Sequence, residues 1–167
     1  MPRRKLLPDS DVLTLALDRL TTEGERAVTF GAMAEATGLA ASTLVQRFGS
    51  QEAMVEAALL QGWDRAMAML GQAEAEAPKS PKGVQALLKS LPAQPVPLSA
   101  CLPRAACRDR AALWRLRVEA ALALRLGGGA KAAQSAAMIF AYWQGQAAWM
   151  DTGGPAARVK DVLKRLT

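Results

Sequence analysis

Apolar residues recur at helical spacing along nearly the whole chain. Val12, Leu13, Ala16, Leu17 and Leu20 share one helix face, entered through Asp9 or Ser10 as cap. Thr22-Glu23-Gly24-Glu25 closes that helix, with Gly24 suited to a positive-φ position. Phe30, Met33, Ala34 and Thr37 mark a second short helix, capped by Thr29 and ended by Gly38. A third covers about 40–48, and Gly49-Ser50 opens a long fourth from Gln51 to about Ala77. Its inward residues include Met54, Val55, Ala58, Leu59, Ala66 and Leu70.

Pro78-Lys79-Ser80-Pro81 is a break. A fifth helix over about 82–91 carries Val84, Leu87, Leu88 and Leu91. Pro92, Pro95, Pro97 and Pro103 make 92–104 an irregular connector with room for one helical turn. Further helices are expected over 107–126, 130–150 and 156–166, separated by Gly127-Gly128-Gly129 and by Thr152-Gly153-Gly154-Pro155. No strand-like alternation and no internal repeat occurs. The predicted fold is all-α: an N-terminal three-helix helix-turn-helix module joined by a long helix to a C-terminal helical bundle. The expected division is 1–50 and 51–167.

A helix-turn-helix needs a small residue where its helices touch, a residue tolerant of positive φ in the turn, and an apolar anchor on the second helix. Ala34, Gly38 and Leu44 meet these needs in order, and Leu39 and Phe48 complete a small core. At about 100° per residue, Leu44 and Phe48 point inward together. Ser42 and Gln46 then lie on the opposite side, flanked by Thr43 and Val45. That outward face is short, polar and uncharged; it suits DNA, and it equally suits the solvated surface of an ordinary bundle.

The stretch Val28-Thr29-Phe30-Gly31-Ala32-Met33-Ala34-Glu35-Ala36-Thr37-Gly38-Leu39 and its continuation through Phe48 to Met54 resembles the DNA-binding segment of TetR-type regulators. The resemblance covers about Val12 to Leu60. It implies a homodimer, a palindromic operator in double-stranded DNA and control by a small-molecule effector, with 1–50 as the DNA-binding domain and 51–167 as a helical ligand-binding and dimerisation domain. It also implies DNA contacts from Thr29, Ala41, Ser42, Thr43, Val45, Gln46, Arg47 and Gln51. The family often has Lys at the position of Ala41, Tyr at Val45, His at Gln46 and Lys at Gln51. Three of those contacts, at Ala41, Val45 and Gln51, commonly reach phosphates. Their loss shifts the expected phosphate binding onto the basic arm Arg3-Arg4-Lys5, Arg47 and backbone N–H groups at helix starts. The arm suits a minor groove, or it is a solubilising tail.

In the C-terminal half, Leu113, Leu116, Ala120 and Leu124 share a face, with Trp114, Val118, Ala121 and Leu122 beside it. Ala133, Ala136, Phe140, Trp143, Ala147 and Met150 recur on the next helix amid further small residues. Helices apolar nearly all round must be buried on two sides, which predicts a dimer seam built from 107–126 and 130–150, or else a tight monomeric core. Trp63, Met67, Trp114 and Phe140 are candidate lining for an apolar effector cavity, or plain core. Arg115 or Arg117 is the candidate anion anchor.

Charge sharpens this last point. The net charge is +6. Residues 1–50 balance six basic against six acidic groups, whereas 79–167 carry fourteen basic and four acidic. Read naively, that places nucleic acid on the C-terminal half, against the local motifs. The Met1-Pro2-Arg3-Arg4-Lys5 start is followed by Pro8-Asp9-Ser10-Asp11, not by an apolar stretch, so a cytoplasmic protein with no membrane partner is expected. The chain has no histidine. No nucleophile–base pair, phosphate loop or metal-ligand cluster stands out, so neither an enzyme nor a cofactor is expected. Cys101 and Cys107 read as reduced thiols or as a redox pair, and two thiolates without imidazole do not make a zinc site. The alternative function is a small-molecule or lipid-binding protein of the same fold that has lost DNA binding.

Overall fold

In the computed structural model the described residues are 7–149, 153 and 158–166. The arm Arg3, Arg4 and Lys5, the expected helix end at Met150 and residues 154–157 lie outside them. Among the described residues the chain is helical, with no strand. The elements are α1 (Asp9–Glu23), a 3-10 turn (Glu25–Ala27), α2 (Phe30–Thr37), α3 (Ala41–Phe48), α4 (Gln51–Glu76) and α5 (Pro81–Lys89). They continue with α6 (Leu98–Cys101), α7 (Ala105–Arg125), α8 (Gly129–Ala148) and α9 (Val159–Leu166). The single turn of α6 falls inside the expected connector.

The start of α1 differs from expectation. Pro8 is its N-cap and no side chain caps it, so Asp9 and Ser10 lie inside the helix. Pro8 suits this place because its fixed φ leads into a helix and its missing N–H costs nothing there. Asp9 and Asp11 in the first turn offset the positive end of the helix dipole.

The chain divides into two compact units. The first runs through Asp64 and takes in Val96–Arg110; the second holds Arg65–Pro95 and resumes at Ala111. The boundary between these units falls after the first half of α4. The reason is that Met54, Val55, Ala58 and Leu59 of α4 bury themselves in the same core as Val12, Ala16, Leu17 and Leu20 of α1, Val28, Met33 of α2 and Leu44 of α3. Gly62 is required for the approach of α4. A Cβ there would lie 2.4 Å from Val96 Cγ1 and 2.9 Å from a Leu17 methyl.

The second unit buries Leu70 and Ala73 of α4, Val84, Leu87 and Leu88 of α5, Trp114, Val118 and Leu122 of α7, and Ala136, Ile139 and Trp143 of α8. Trp114, Phe140 and Trp143 form an aromatic cluster with ring centroids 5.9–6.1 Å apart. Arg125 is also buried. It donates to the carbonyls of Ala121 (2.9 Å), Glu74 (2.9 Å) and Ala77 (3.0 Å). The last turn of α4 has no basic residue of its own. Arg125 thus supplies from α7 both the donors and the positive charge that this helix C-terminus lacks.

Candidate nucleic-acid interface

The helix-turn-helix is built from local rules. Thr29 has extended backbone angles, and its hydroxyl accepts from the Ala32 N–H at 3.1 Å, capping α2. Gly38 is left-handed (φ 68°, ψ 11°), and its N–H closes on the Ala34 carbonyl at 2.9 Å. A side chain at that φ would be strained, so Gly38 is what allows α3 to start two residues later. Leu44 is fully buried and anchors α3.

With Leu44 inward, the other side of α3 faces water. Ala41, Ser42, Val45 and Gln46 are exposed, and Thr43 is half-buried on the flank. Gln51, at the start of α4, is exposed. None of these side chains is charged. The surface offers hydroxyls, an amide and small apolar groups, which suit base edges better than phosphates. Thr29 spends its hydroxyl oxygen on the α2 cap.

Arg47 is the one cation of α3, and the structure gives it another task. Its Nη1 donates to the Leu7 carbonyl at 2.7 Å and to the Asp9 carboxylate at 3.2 Å. The side chain is 15% exposed. It ties the end of α3 to the entry of α1, and Asp9 offsets its charge.

The candidate effector residues belong to different units. Trp63 is buried in the first unit. Met67 is half-buried. Trp114 and Phe140 are members of the aromatic cluster of the second unit. Neither anchor candidate points inward: Arg115 pairs with Glu119 at 3.5 Å and Arg117 with Glu74 at 2.8 Å, both exposed. These two side chains find carboxylates at the surface, so nothing draws them into the core.

The inward arginines are Arg104 and Arg125, and periodicity could not single them out from their neighbours. The second unit does hold a pocket of about 570 Å³, lined by Gln85, Leu88, Lys89, Trp143, Arg158 and Val159. Its size falls within the roughly 300–1,000 Å³ of small-molecule sites. Of these residues, only Leu88 and Trp143 had signalled themselves beforehand, both through apolar spacing.

No protein-family model matches the chain, and no curated protein does. Solved structures do match. PfmR, a TetR family transcriptional regulator from Thermus thermophilus, is 18% identical with a TM-score of 0.57, covering 92% of this chain and 93% of that one. A transcriptional regulator of the TetR/AcrR family from Thermobifida fusca is 17% identical with a TM-score of 0.62, covering 95% and 93%. The fold is that of TetR-family regulators. At such identities the likeness extends to architecture and not to individual contacts. On this TetR-type frame, α1 to α3 carry the helix-turn-helix that the sequence resemblance marked. Ala41, Val45 and Gln51 stand on its exposed side in place of larger or charged groups. Among the described residues no helix is long and apolar enough to cross a membrane.

Proposed function

We propose that this protein is a transcription regulator of the TetR type that binds a palindromic operator as a homodimer, represses from it and is released by a small anionic effector. The observation that carries the reading is the uncharged, exposed face of α3 behind the left-handed Gly38, within a fold shared with TetR-family regulators. The proposed readers of base edges are Ser42 and Gln46, with Thr43 beside the backbone. The proposed domain roles follow: DNA binding by the N-terminal helices, effector binding and dimerisation by the rest.

Dimerisation is supported by a second apolar face on α7. Trp114, Val118 and Leu122 are buried, yet Leu113, Leu116 and Leu124 are large, apolar and about half exposed. Met138 and Ala141 repeat the pattern on α8. Such faces normally meet a partner, and in a two-fold dimer each copy presents the same patch. Effector control is supported by the pocket at Trp143. Lys89 and Arg158, the latter paired with Asp161 at 3.5 Å, bring positive charge to a site lined also by Trp143, Leu88 and Val159, which suits a carboxylate on an apolar body.

Selection of bound sequences from random double-stranded DNA tests the proposal. The expected result is an enriched inverted repeat with half-sites about one helical turn apart, whose binding an aryl or alkyl carboxylate weakens. A second reading, a small-molecule-binding protein without operator, is favoured by the absence of phosphate-seeking side chains at Ala41, Val45 and Gln51. It predicts carboxylate binding with no enriched sequence.

A further inference from the structure

Each base offers the major groove a different set of groups. Guanine shows two acceptors and is read by Arg or Lys; cytosine shows an amino group and is read by Asp or Glu. Adenine shows an acceptor beside an amino donor, which a carboxamide matches with both its ends, and thymine shows a methyl group. A reading surface can therefore be sorted by what it lacks as well as by what it holds. The exposed side of α3 holds Ala41, Ser42, Val45 and Gln46, and it lacks Arg, Lys, Asp and Glu. Arg47, the only cation of that helix, is held by the Leu7 carbonyl and Asp9.

The groups that are present are uncommitted. Among the described residues the side chains of Ser42 and Gln46 make no hydrogen bond within the chain, so the Gln46 amide is open at both ends. Val45 is 45% exposed, and no other large apolar side chain of α3 is exposed. Ala41 lies one turn before it, about 40° round the helix and ~6 Å along it. Helical phase puts Gln46 nearly opposite the buried Leu44, toward a groove floor, with Val45 about 100° to one side. The thymine methyl stands beside its O4, toward the groove wall, where a flanking side chain meets it. One exposed valine means little by itself. Beside a free carboxamide on the outward face of a helix-turn-helix it completes the set that an A·T pair requires.

We propose that α3 selects A·T pairs in the major groove: Gln46 pairs with adenine N6 and N7, while Val45, with Ala41 a turn earlier, covers thymine methyl groups. The inference rests on the proposed function and narrows it, from an operator of any sequence to one whose half-sites present A·T pairs to this helix. Recognition then depends in part on a methyl group. DNA whose thymine lacks that methyl is a poorer ligand although its base pairing is unchanged. Covering a methyl takes about as much apolar surface from water as burying one CH₂, an effect of about fourfold in affinity.

The test uses the full-length chain and the duplex enriched from random double-stranded DNA. Each thymine of a half-site is replaced singly by uracil, which removes the methyl alone. Each adenine is replaced singly by 7-deazaadenine, which removes the N7 acceptor. Uracil at one or two positions should weaken binding about fourfold per half-site, and about 15-fold when both half-sites are changed. 7-Deazaadenine at one position should weaken it at least about fivefold per half-site. Val45→Ala should lose most of the preference for thymine over uracil, and Gln46→Ala should bind adenine and 7-deazaadenine alike. The bases are changed in the DNA and both side chains are exposed, so the fold is not at stake. A selection that enriches no sequence overturns the proposed function and this inference with it. This inference alone is overturned by an enriched repeat that tolerates uracil at every thymine or 7-deazaadenine at every adenine. It is equally overturned if the pairs whose preference depends on Val45 and Gln46 are G·C, or if Val45→Ala keeps the full preference for thymine.

Discussion

Two surfaces of this chain are comparably open to water and chemically opposite. On α3 the exposed groups are Ala41, Ser42, Val45 and Gln46, small and uncharged. On α7 and α8 they are Leu113, Leu116, Leu124 and Met138, large and apolar. Both helices behind these surfaces are anchored by buried residues on the other side, Leu44 for α3 and Trp114, Val118 and Leu122 for α7. Anchoring therefore does not explain the difference. A leucine left in water forgoes the roughly 1.5–3 kcal/mol that full burial would return, so repeated exposed leucines point to a protein partner. A short row of hydroxyl, amide and methyl groups forgoes little, and it matches the edges of bases. Exposure alone says that a surface is free; its chemistry says for what.

The sharpest way to break the comparison is to place the same charge on each surface. Leu116→Glu or Ala141→Glu should put two carboxylates at the proposed two-fold seam. The expected outcome is a monomer by light scattering and operator binding weaker by at least about 100-fold, equivalent to ~2.8 kcal/mol. Val45→Glu places its charge against phosphates instead, so it should cost operator binding while the dimer persists. If Leu116→Glu leaves the protein dimeric, the apolar face has another purpose.

A smaller effect belongs to Gln46. Its amide can pair with adenine in two places, worth about 1–3 kcal/mol of discrimination. Gln46→Ala should relax preference at one base pair per half-site and leave the melting temperature unchanged. Identical sequence preference in parent and variant would mean that α3 does not read bases through this residue.

How much of this was legible beforehand depends on the range of the physics. The turn at Gly38, the cap at Thr29 and the anchor at Leu44 each act within a few residues, and the structure has all three where the spacing put them. The break at Pro78 and the glycines after Arg125 were likewise local. The side-chain partners were not. Six arginines run from Arg104 to Arg125 inclusive, and helical phase alone does not tell which turns inward. Arg104 is held by Glu25, distant in the chain, and Arg125 by the end of α4. Neither acceptor is visible until the helices are packed. For the same reason apolar spacing marked Trp63 and Trp114 together as cavity lining although they are buried in different units.

Arg47 carries the smallest predicted effect and the finest distinction. Its position at the end of α3 suggests a phosphate contact, but its guanidinium is bound to the Leu7 carbonyl and to Asp9. A phosphate contact and a tether make different predictions for Arg47→Ala. Losing a phosphate contact reduces the slope of log K against log salt by about 0.9, because one fewer counterion is released. Losing a tether leaves that slope alone and lowers stability by about 1.5 kcal/mol, the low end for hydrogen bonds to a charged group, as suits a partly exposed pair. The tether is the expected outcome. Asp9→Asn separates the two further, since it frees the charge of Arg47 without removing it. If Asp9 is what keeps Arg47 from DNA, this variant should gain about one unit of salt slope while losing part of the same stability. A drop in slope for Arg47→Ala, with an unchanged melting temperature, would return Arg47 to the DNA contacts and leave its hold on Leu7 and Asp9 as a feature of the unbound protein.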